Sequence, residues 1–446
     1  MAAEQAAGVG VGGARTAATR EFGVRRAWYV VGLLTVLFIF STIDRTILAL
    51  LAEPVSTSLR LTDAQMGLII GMGFAVLYSI AGLPLAHWID TKTRRTLVML
   101  GVVIWSAMTC ASAFAHDFTT LILCRAGVAF GEAVLSPAAV SMIADMFPRQ
   151  KRALPMSIYA SIGGIFGSGA FIVGAAVLHL ATPLALASGL APWQMTMILL
   201  GAPGIVLGVL FRVTVPEPPR MESPGSEGSA GLPALFRYLK GTWPFYAPYI
   251  LGIGLFCIFN YAVIAWLATI LIRDHGFSVE RAGYTFGGLG IVIGAIGTLL
   301  VPQLTVRIER ARPKYGVPTT QLALVCLAAP FMIITPMSEN VLALLVGVGF
   351  TILAGAAFAV LMPLGFQTYA PSRMRARLMA TYLLSANLVG LSIGPIAAVA
   401  LSKLWEGAER PLAHGIATLG MFVAPLVVAC YVTSFRMVRR IDLAEH

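Results

Sequence analysis

Apolar residues gather into twelve long runs separated by short polar breaks. The runs lie at about 28–52, 64–88, 96–115, 119–144, 154–179, 193–214, 243–272, 281–306, 316–337, 340–366, 376–402 and 413–436. At ~1.5 Å of rise per residue, about 20 residues cross the ~30 Å hydrocarbon layer as a helix. The pattern therefore predicts twelve membrane-spanning helices. The first run, from Trp28, is too long for a cleaved leader and is predicted to be a retained span. The stretches between runs are too short for a separate soluble domain.

Composition points the same way. Apolar residues make up 58% of the 446, and Asp, Glu, Lys and Arg only 11%, against about 25% in a soluble domain. Mean hydropathy is +0.84. These values argue against a soluble enzyme, a disordered chain and a nucleic-acid binder, despite a net charge of +11. The charge reports topology instead. Of the 31 Lys and Arg, 24 fall on the tails and alternate connections of one side, 5 on the other, and Arg45 and Arg125 inside spans. The positive-inside rule then places both termini and the 212–242 connection in the cytoplasm, against anionic lipid heads. The organisation expected is a tail at 1–27, six spans over 28–214, a linker at 215–242, six spans over 243–436 and a tail at 437–446. The linker, from Pro216, is rich in Pro, Gly and Ser, the composition of a flexible connection.

Half the chain length, 223 residues, is also a repeat. Pro148, Arg152, Ala153, Met156, Tyr159 and Gly167 fall on Pro371, Arg375, Ala376, Met379, Tyr382 and Gly390. Both copies enter an odd-numbered span, the fifth and the eleventh. Two parallel six-helix repeats joined by a linker are the pattern of an alternating-access transporter. The expected fold is thus all-α integral membrane, with twelve transmembrane helices in two six-helix pseudo-symmetric bundles. A duplicated helical scaffold or sensor that transports nothing is the plainer alternative.

Four charges lie within the apolar runs: Asp44 and Arg45 in span 1, and Arg125 and Glu132 in span 4. Each costs on the order of 3 kcal/mol at a helix centre, so each is expected to face protein or water. Arg125 and Glu132 are seven residues apart and share a helix face, about 10 Å apart along the axis. Asp44 and Arg45 are adjacent and diverge by about 100°. Spans 1 and 4 are therefore expected to set two carboxylates and two guanidiniums around one wet chamber. Such a group can serve as a fixed ion pair that orients the bundle. It can also let a carboxylate exchange its partner for a proton while an arginine takes an anionic head group. Asn260, with Tyr261, Gln367, Tyr369, Tyr382 and Asn387, supplies polar candidates in the second half, which carries no charge within its spans. A charged wall facing an apolar one suits an amphiphile with a charged head.

Other patterns carry no chemistry. Gly8, Gly10 and Gly13 match a dinucleotide fingerprint with no strand before it, and Gly390-Leu-Ser-Ile-Gly394 lies inside a span rather than at a nucleophile elbow. Cys110, Cys124, Cys257, Cys326 and Cys430 lack C-x-x-C spacing and are expected to be buried packing residues. No cofactor and no metal site is called for. A lipid-directed membrane enzyme would need a nucleophile and base at mid-membrane, and no such constellation is visible.

The loop after span 2 runs Asp90, Thr91, Lys92, Thr93, Arg94, Arg95 and resembles the D-R-x-G-R-K signature of the major facilitator superfamily. It departs at Thr91 and Thr93, and Ala86 stands where glycine is usual. The resemblance implies a cytoplasmic gate of Asp90, Arg94, Arg95, Asp145 and Arg152. A narrower resemblance is to the Spinster lipid transporters. It rests on Ile43-Asp44-Arg45, on Arg125 followed by Gly131-Glu132-Ala133, on Pro137-Ala138, and on Ile143-Ala144-Asp145-Met146-Phe147, with Ala129 where a glycine is usual. That resemblance implies a monomeric carrier of sphingosine-1-phosphate-like lipid or lysophospholipid. Asp44 and Glu132 would be its proton-linked carboxylates, with Arg45, Arg125 and Asn260 toward the substrate. A related group of sugar-acid and organic-anion proton symporters also has an Asp-Arg pair in span 1 and stands as the alternative.

Overall fold

A computed structural model describes residues 23–220 and 232–440. The expectations for residues 1–22, 221–231 and 441–446, the glycines of the N-terminal tail among them, fall outside the described residues. Among the described residues all regular structure is helical. Twelve of the described helices are long and apolar enough to cross a membrane. Span 1 is Val24–Leu50, span 2 Asp63–Gly82, span 3 Arg94–Ser112, span 4 Phe118–Met146, span 5 Gly169–Ser188 and span 6 Pro192–Thr214. Span 7 is Tyr238–Arg273, span 8 Val279–Ala311, span 9 Gly316–Met337, span 10 Val341–Tyr369, span 11 Arg377–Trp405 and span 12 Pro411–Met437. Helices prevail because hydrocarbon offers no partner for a backbone amide, and a helix satisfies its amides internally.

The ends of the spans follow local chemistry. Span 2 opens on a capping box, in which Thr62 accepts from the Gln65 amide and Gln65 from the Thr62 amide. The side chains of Asp117, Ser278 and Asn340 accept from backbone amides at the starts of spans 4, 8 and 10, without the reciprocal bond. Some boundaries differ from the apolar pattern. Span 5 belongs to a 36-residue helix, Ala153–Ser188, that stops only where Gly189 takes φ 72. Span 7 belongs to a 42-residue helix, Leu232–Arg273, about 60 Å long. That is twice the hydrocarbon thickness, so the polar stretch read as linker is helical from Leu232. Beyond span 1, Leu51 makes a turn and a further helix, Ala52–Leu59, follows.

The chain forms two compact units. One holds Met1–Arg45, Leu77–Gly167 and Leu180–Ser226, and the other Thr46–Val76, Ser168–His179 and Glu227–His446. In the first unit, glycines bring helices together. An ideal Cβ on Gly131 would lie 2.6 Å from the Gly101 carbonyl oxygen, and one on Gly101 would lie 2.7 Å from that of Gly131. Spans 3 and 4 therefore cross backbone to backbone. Gly201 and Gly208 similarly seat span 6 on span 3, against Ser106 and Val102.

The second unit packs around aromatic side chains. Phe245, Tyr249, Phe366, Tyr369 and Tyr431 are buried and touch ring to ring. Trp266 of span 7 donates from Nε1 to the Pro395 carbonyl of span 11 at 2.9 Å, where Gly67 of span 2 also closes in. All five cysteines are free. Cys124 is buried as expected, but Cys326 is exposed and the other three are half-buried, because an apolar face of a span can meet lipid instead of protein. Leu186, Leu299 and Phe422 are exposed for the same reason.

Candidate functional site

Span 4 does not run straight. The helix Phe118–Glu132 stops, Ala133 and Val134 turn, and Leu135–Met146 resumes. Pro137 has no N–H for the Ala133 carbonyl four residues back, which accounts for the break. Glu132 is thus the last residue before a turn in mid-span. The adjoining Gly131 holds it close to span 3.

The four intramembrane charges meet in the first unit. Arg45 Nη2 donates to Glu132 Oε2 at 2.7 Å, and Nε to the same oxygen at 3.3 Å. Asp44 turns the other way. Its Oδ2 accepts from the Thr109 hydroxyl of span 3 at 2.6 Å. Its Oδ1 lies 4.0 Å from Arg125 Nη1, which donates to the Asp44 backbone carbonyl at 3.3 Å. Both adjacent residues of span 1 therefore face a charge of span 4, crosswise. The Arg45 guanidinium also stands over the Tyr78 ring of span 2, 5.0 Å from its centroid, a cation–π contact.

Burial departs from expectation. The sequence placed both carboxylates at a shared wet chamber, yet the Glu132 side chain is 0% exposed, Asp44 6% and Arg125 4%. Only Arg45, at 34%, reaches open space. The pairing itself is the cause: each guanidinium covers its carboxylate, and charges in a low dielectric draw together more strongly than in water. One oxygen on each acid, Asp44 Oδ1 and Glu132 Oε1, is buried with no hydrogen-bond partner. Such atoms are costly to leave bare.

Asn260 lies in the second unit, half-buried on span 7, with its Oδ1 against Gly355 of span 10. Nearby, the Tyr261 hydroxyl donates to Asn387 Oδ1 at 3.2 Å, where span 11 winds as a π-helix over Ser385–Leu391.

The residues assigned to a gate divide. Arg94 is buried and its Nη1 pairs with Asp145 and with Ser141 Oγ. A further partner was not read from the sequence. Glu217, just past span 6, accepts from Arg94 Nε at 3.0 Å and from the amides of Arg94 and Arg95 at 3.2 and 2.9 Å. A carboxylate thereby caps the N-terminus of span 3. Arg95 Nη1 reaches the Val215 carbonyl at 3.4 Å, and Arg220 Nη2 the Ile89 carbonyl at 2.9 Å. The start of the supposed flexible linker is therefore strapped to the 89–95 loop. The only signal for this in the sequence is a lone acid between prolines on a basic side. Asp90 is exposed, and Arg152 Nε donates instead to the Phe147 carbonyl at 2.8 Å. Arg375 Nε donates to the Ala370 carbonyl at 3.0 Å. Residues 370 and 375 are the 223-residue equivalents of 147 and 152, so the repeat preserves a hydrogen bond as well as a spelling.

On the opposite side, Arg273 at the end of span 7 binds two acids from the first half of the chain. Its Nη1 and Nη2 each donate to Asp63 at 2.8 Å, and Nε to Glu53 at 2.5 Å. All three residues belong to the second unit.

Twelve membrane helices and paired charges between spans 1 and 4 define a transporter rather than an enzyme. Residues 33–395 match the model of the Major Facilitator Superfamily, and the chain belongs to that family. It is 27% identical over 432 residues to an MFS-type efflux pump of Mycolicibacterium smegmatis (strain ATCC 700084 / mc(2)155), covering 95% of this chain and 96% of that one. It is 25% identical to a probable L-galactonate transporter of Escherichia coli (strain K12), over 58% of this chain and 59% of that one. Among solved structures, a bacterial homologue of the human lysosomal transporter Spinster, in an inward-facing and unoccupied conformation, superposes with a TM-score of 0.81. Identity there is 25%, covering 94% of this chain and 98% of that one.

Proposed function

We propose that this chain is a proton-coupled secondary transporter that moves an amphipathic anionic lipid, of the sphingosine-1-phosphate or lysophospholipid class, by alternating access. The observation that carries the reading is Arg45: a guanidinium one-third exposed whose counter-charge, Glu132, is sealed. An anionic head group arriving at Arg45 competes for its bidentate face. Glu132, losing its partner in a low dielectric, is then stable only when protonated. Binding of an anion and uptake of a proton are linked by that exchange, and Asp44 with Arg125 forms a second such pair behind it. Arg125 and Asn260 extend the substrate site in this reading. Arg94, Arg95, Asp145 and Glu217 brace the cytoplasmic gate, with Asp90 and Arg152 at its margin.

The likeness to the Spinster homologue over nearly the whole chain supports a carrier of the Spinster type. The second-half spans, whose charges lie only near their ends, also favour an apolar tail. The split of 24 basic residues against 5 supports an inner-membrane protein with cytoplasmic termini, here taken as a monomer. The L-galactonate relative favours a second reading, a sugar-acid proton symporter using the same Arg45 for a smaller carboxylate.

Reconstitution separates the two. Proteoliposomes under an imposed pH gradient are expected to take up lysophosphatidylglycerol and not galactonate; uptake of galactonate alone would overturn the lipid assignment. Asp44→Asn and Glu132→Gln are each expected to cut gradient-driven flux by about a hundredfold, the low end for losing a proton-transfer group. A normal pH response in both variants would remove the proton from the mechanism.

A further inference from the structure

The 223-residue repeat that keeps the Arg152 hydrogen bond breaks down at the neighbouring latch. Arg94, which binds Ser141 and Asp145 in the first unit, falls on Val317 in the second, and its partners fall on Leu364 and Thr368. These three residues carry no charge, and they line a cavity instead. Thr305, Val306, Glu309 and Arg310, from the end of span 8, complete its wall. The volume is about 210 Å³, more than the ~150 Å³ of an apolar cavity that takes up benzene. Thr305 and Val317 are buried, Leu364 and Thr368 half-buried, and Val306 and Arg310 exposed. The hydroxyls of Thr305 and Thr368 donate to the Val301 and Leu364 carbonyls, each one turn back. The cavity is therefore apolar on its inner walls and basic where it meets the surface.

We propose that this cavity binds one anionic phospholipid of the leaflet on the chain's basic side, with the phosphate at Arg310 and the start of an acyl chain between spans 8, 9 and 10. Charge complementarity argues for that occupant. Arg307 lies three residues before Arg310 on the same helix face, and Arg312 follows just past the helix end. All three are exposed, and among the described residues none of their side chains has a hydrogen bond or an ion pair. Like charges three residues apart repel, and an anion between them relieves the repulsion. The one acid in the wall is already committed. Glu309 Oε1 accepts from the Lys314 amide at 2.7 Å and Oε2 from the Gly316 amide at 2.6 Å, which caps the start of span 9. A guanidinium grips a phosphodiester through two parallel N–H groups. Val306, Val317 and Leu364 offer nothing to a free phosphate but suit a hydrocarbon tail. A basic pocket between spans on the cytoplasmic side is a setting in which lipid head groups bind. Where Arg94 joins spans 3 and 4 in the first unit, the lipid joins spans 9 and 10 in the second. The site holds whichever substrate is carried.

Native mass spectrometry of the full-length protein in detergent tests this, with phosphatidylglycerol set against phosphatidylethanolamine of the same chains. The wild type is expected to hold one phosphatidylglycerol about tenfold more tightly. Arg307→Ala combined with Arg310→Ala is expected to abolish that difference, whereas Arg26→Ala, at an exposed arginine of the first unit, leaves it unchanged. Val317→Phe fills the cavity without touching a charge and is expected to weaken phosphatidylglycerol by about fivefold or more. Inorganic phosphate in excess is expected not to displace the lipid. If it does, and equally well in Val317→Phe, the arginines hold a soluble anion and the lipid site falls. A preference that survives in the double arginine variant also overturns the proposal, since it then belongs to Arg45 or to the charge of the chain as a whole. Should Val317→Phe fail to fold, the wild type decides. Phosphatidylglycerol with a diazirine on its acyl chain is expected to cross-link to spans 9 and 10 around Val317 and Leu364, and to lose those cross-links in the double arginine variant. Cross-links spread evenly along the apolar faces of the spans overturn the proposal.

Discussion

Arg45 and Glu132 form an uneven pair, an accessible guanidinium on a fully sealed carboxylate. Removing the partner of a buried charge costs about 3–5 kcal/mol, whereas replacing both partners with neutral groups costs far less. Arg45→Ala is therefore expected to lower the thermal midpoint sharply, and the double variant Arg45→Ala with Glu132→Gln to recover most of the loss. A double-mutant cycle in detergent checks this, and additive single losses would show that the pair is not coupled. The same asymmetry limits what could be read from residues alone. All four charges were legible, because an ionised group in an apolar run has few inexpensive places to stand. Their near-complete burial was not, since it depends on each acid being covered by an arginine from another helix. Glu217 illustrates the reverse case. Its neighbours are unremarkable, and only the approach of span 3 gives it two amides and a guanidinium to bind. Glu217→Ala is expected to cost about 1–3 kcal/mol by stranding those donors, and Glu217→Gln, which still accepts, to cost less. Thermal unfolding of the two variants tests the order.

At the scale of helices, glycines set several of the crossings. The mutual contact of Gly101 and Gly131 sets where span 4 crosses span 3, and so fixes the height of Glu132. On the far side, Arg273 ties span 7 to the helix after span 1 and to the start of span 2. Its side chain is one-third exposed, so the strap is worth little in static stability. Its effect belongs to motion instead. Releasing it is expected to free the C-terminal end of span 1, where Ile47, buried against Gly174 of span 5, reports the change. In a background lacking the native cysteines, maleimide labelling of Ile47→Cys is expected to quicken severalfold when Arg273→Ala is added. Unchanged labelling would show that the strap does not govern that end. The existence of twelve helices was plain from apolar run length. Their limits were less so, because caps, turns and glycines such as Gly189 end helices, and apolarity alone does not.

For the molecule as a whole, titration outside the membrane gives a handle on stability. Asp274 and His275 follow span 7, next to Arg410 and His414. Burial, and then Arg410, hold the His275 imidazole below its ordinary value of ~6.5. Burial is also the main cause that raises the Asp274 carboxyl. For His275 the unfolded chain binds the proton more readily than the folded one. Its contribution is therefore present above pH ~6.5 and is lost as the pH falls through its lower folded value. Asp274 acts oppositely, favouring the fold at low pH and losing that contribution as the pH rises through its raised value. His275→Gln is expected to flatten the decline in thermal midpoint on acidification just below pH ~6.5, and an unaltered profile would exclude His275 as its source.

What the sequence determined by itself was whatever the solvent dictates. A bilayer fixes the length of an apolar helix, biases the side on which basic residues lie and makes every buried charge conspicuous, and each of these effects acts on one segment at a time. The halfway repeat was legible for a similar reason, since duplicated turns keep the residues that shape them, as Arg152 and Arg375 do with the carbonyls five positions before them. Tertiary structure alone decided which charge meets which, that Arg45 and not the carboxylates faces open space, and that the start of the linker is bound. Those outcomes depend on distances between segments far apart in the chain, set by glycine crossings and a proline break, and no single segment carries them.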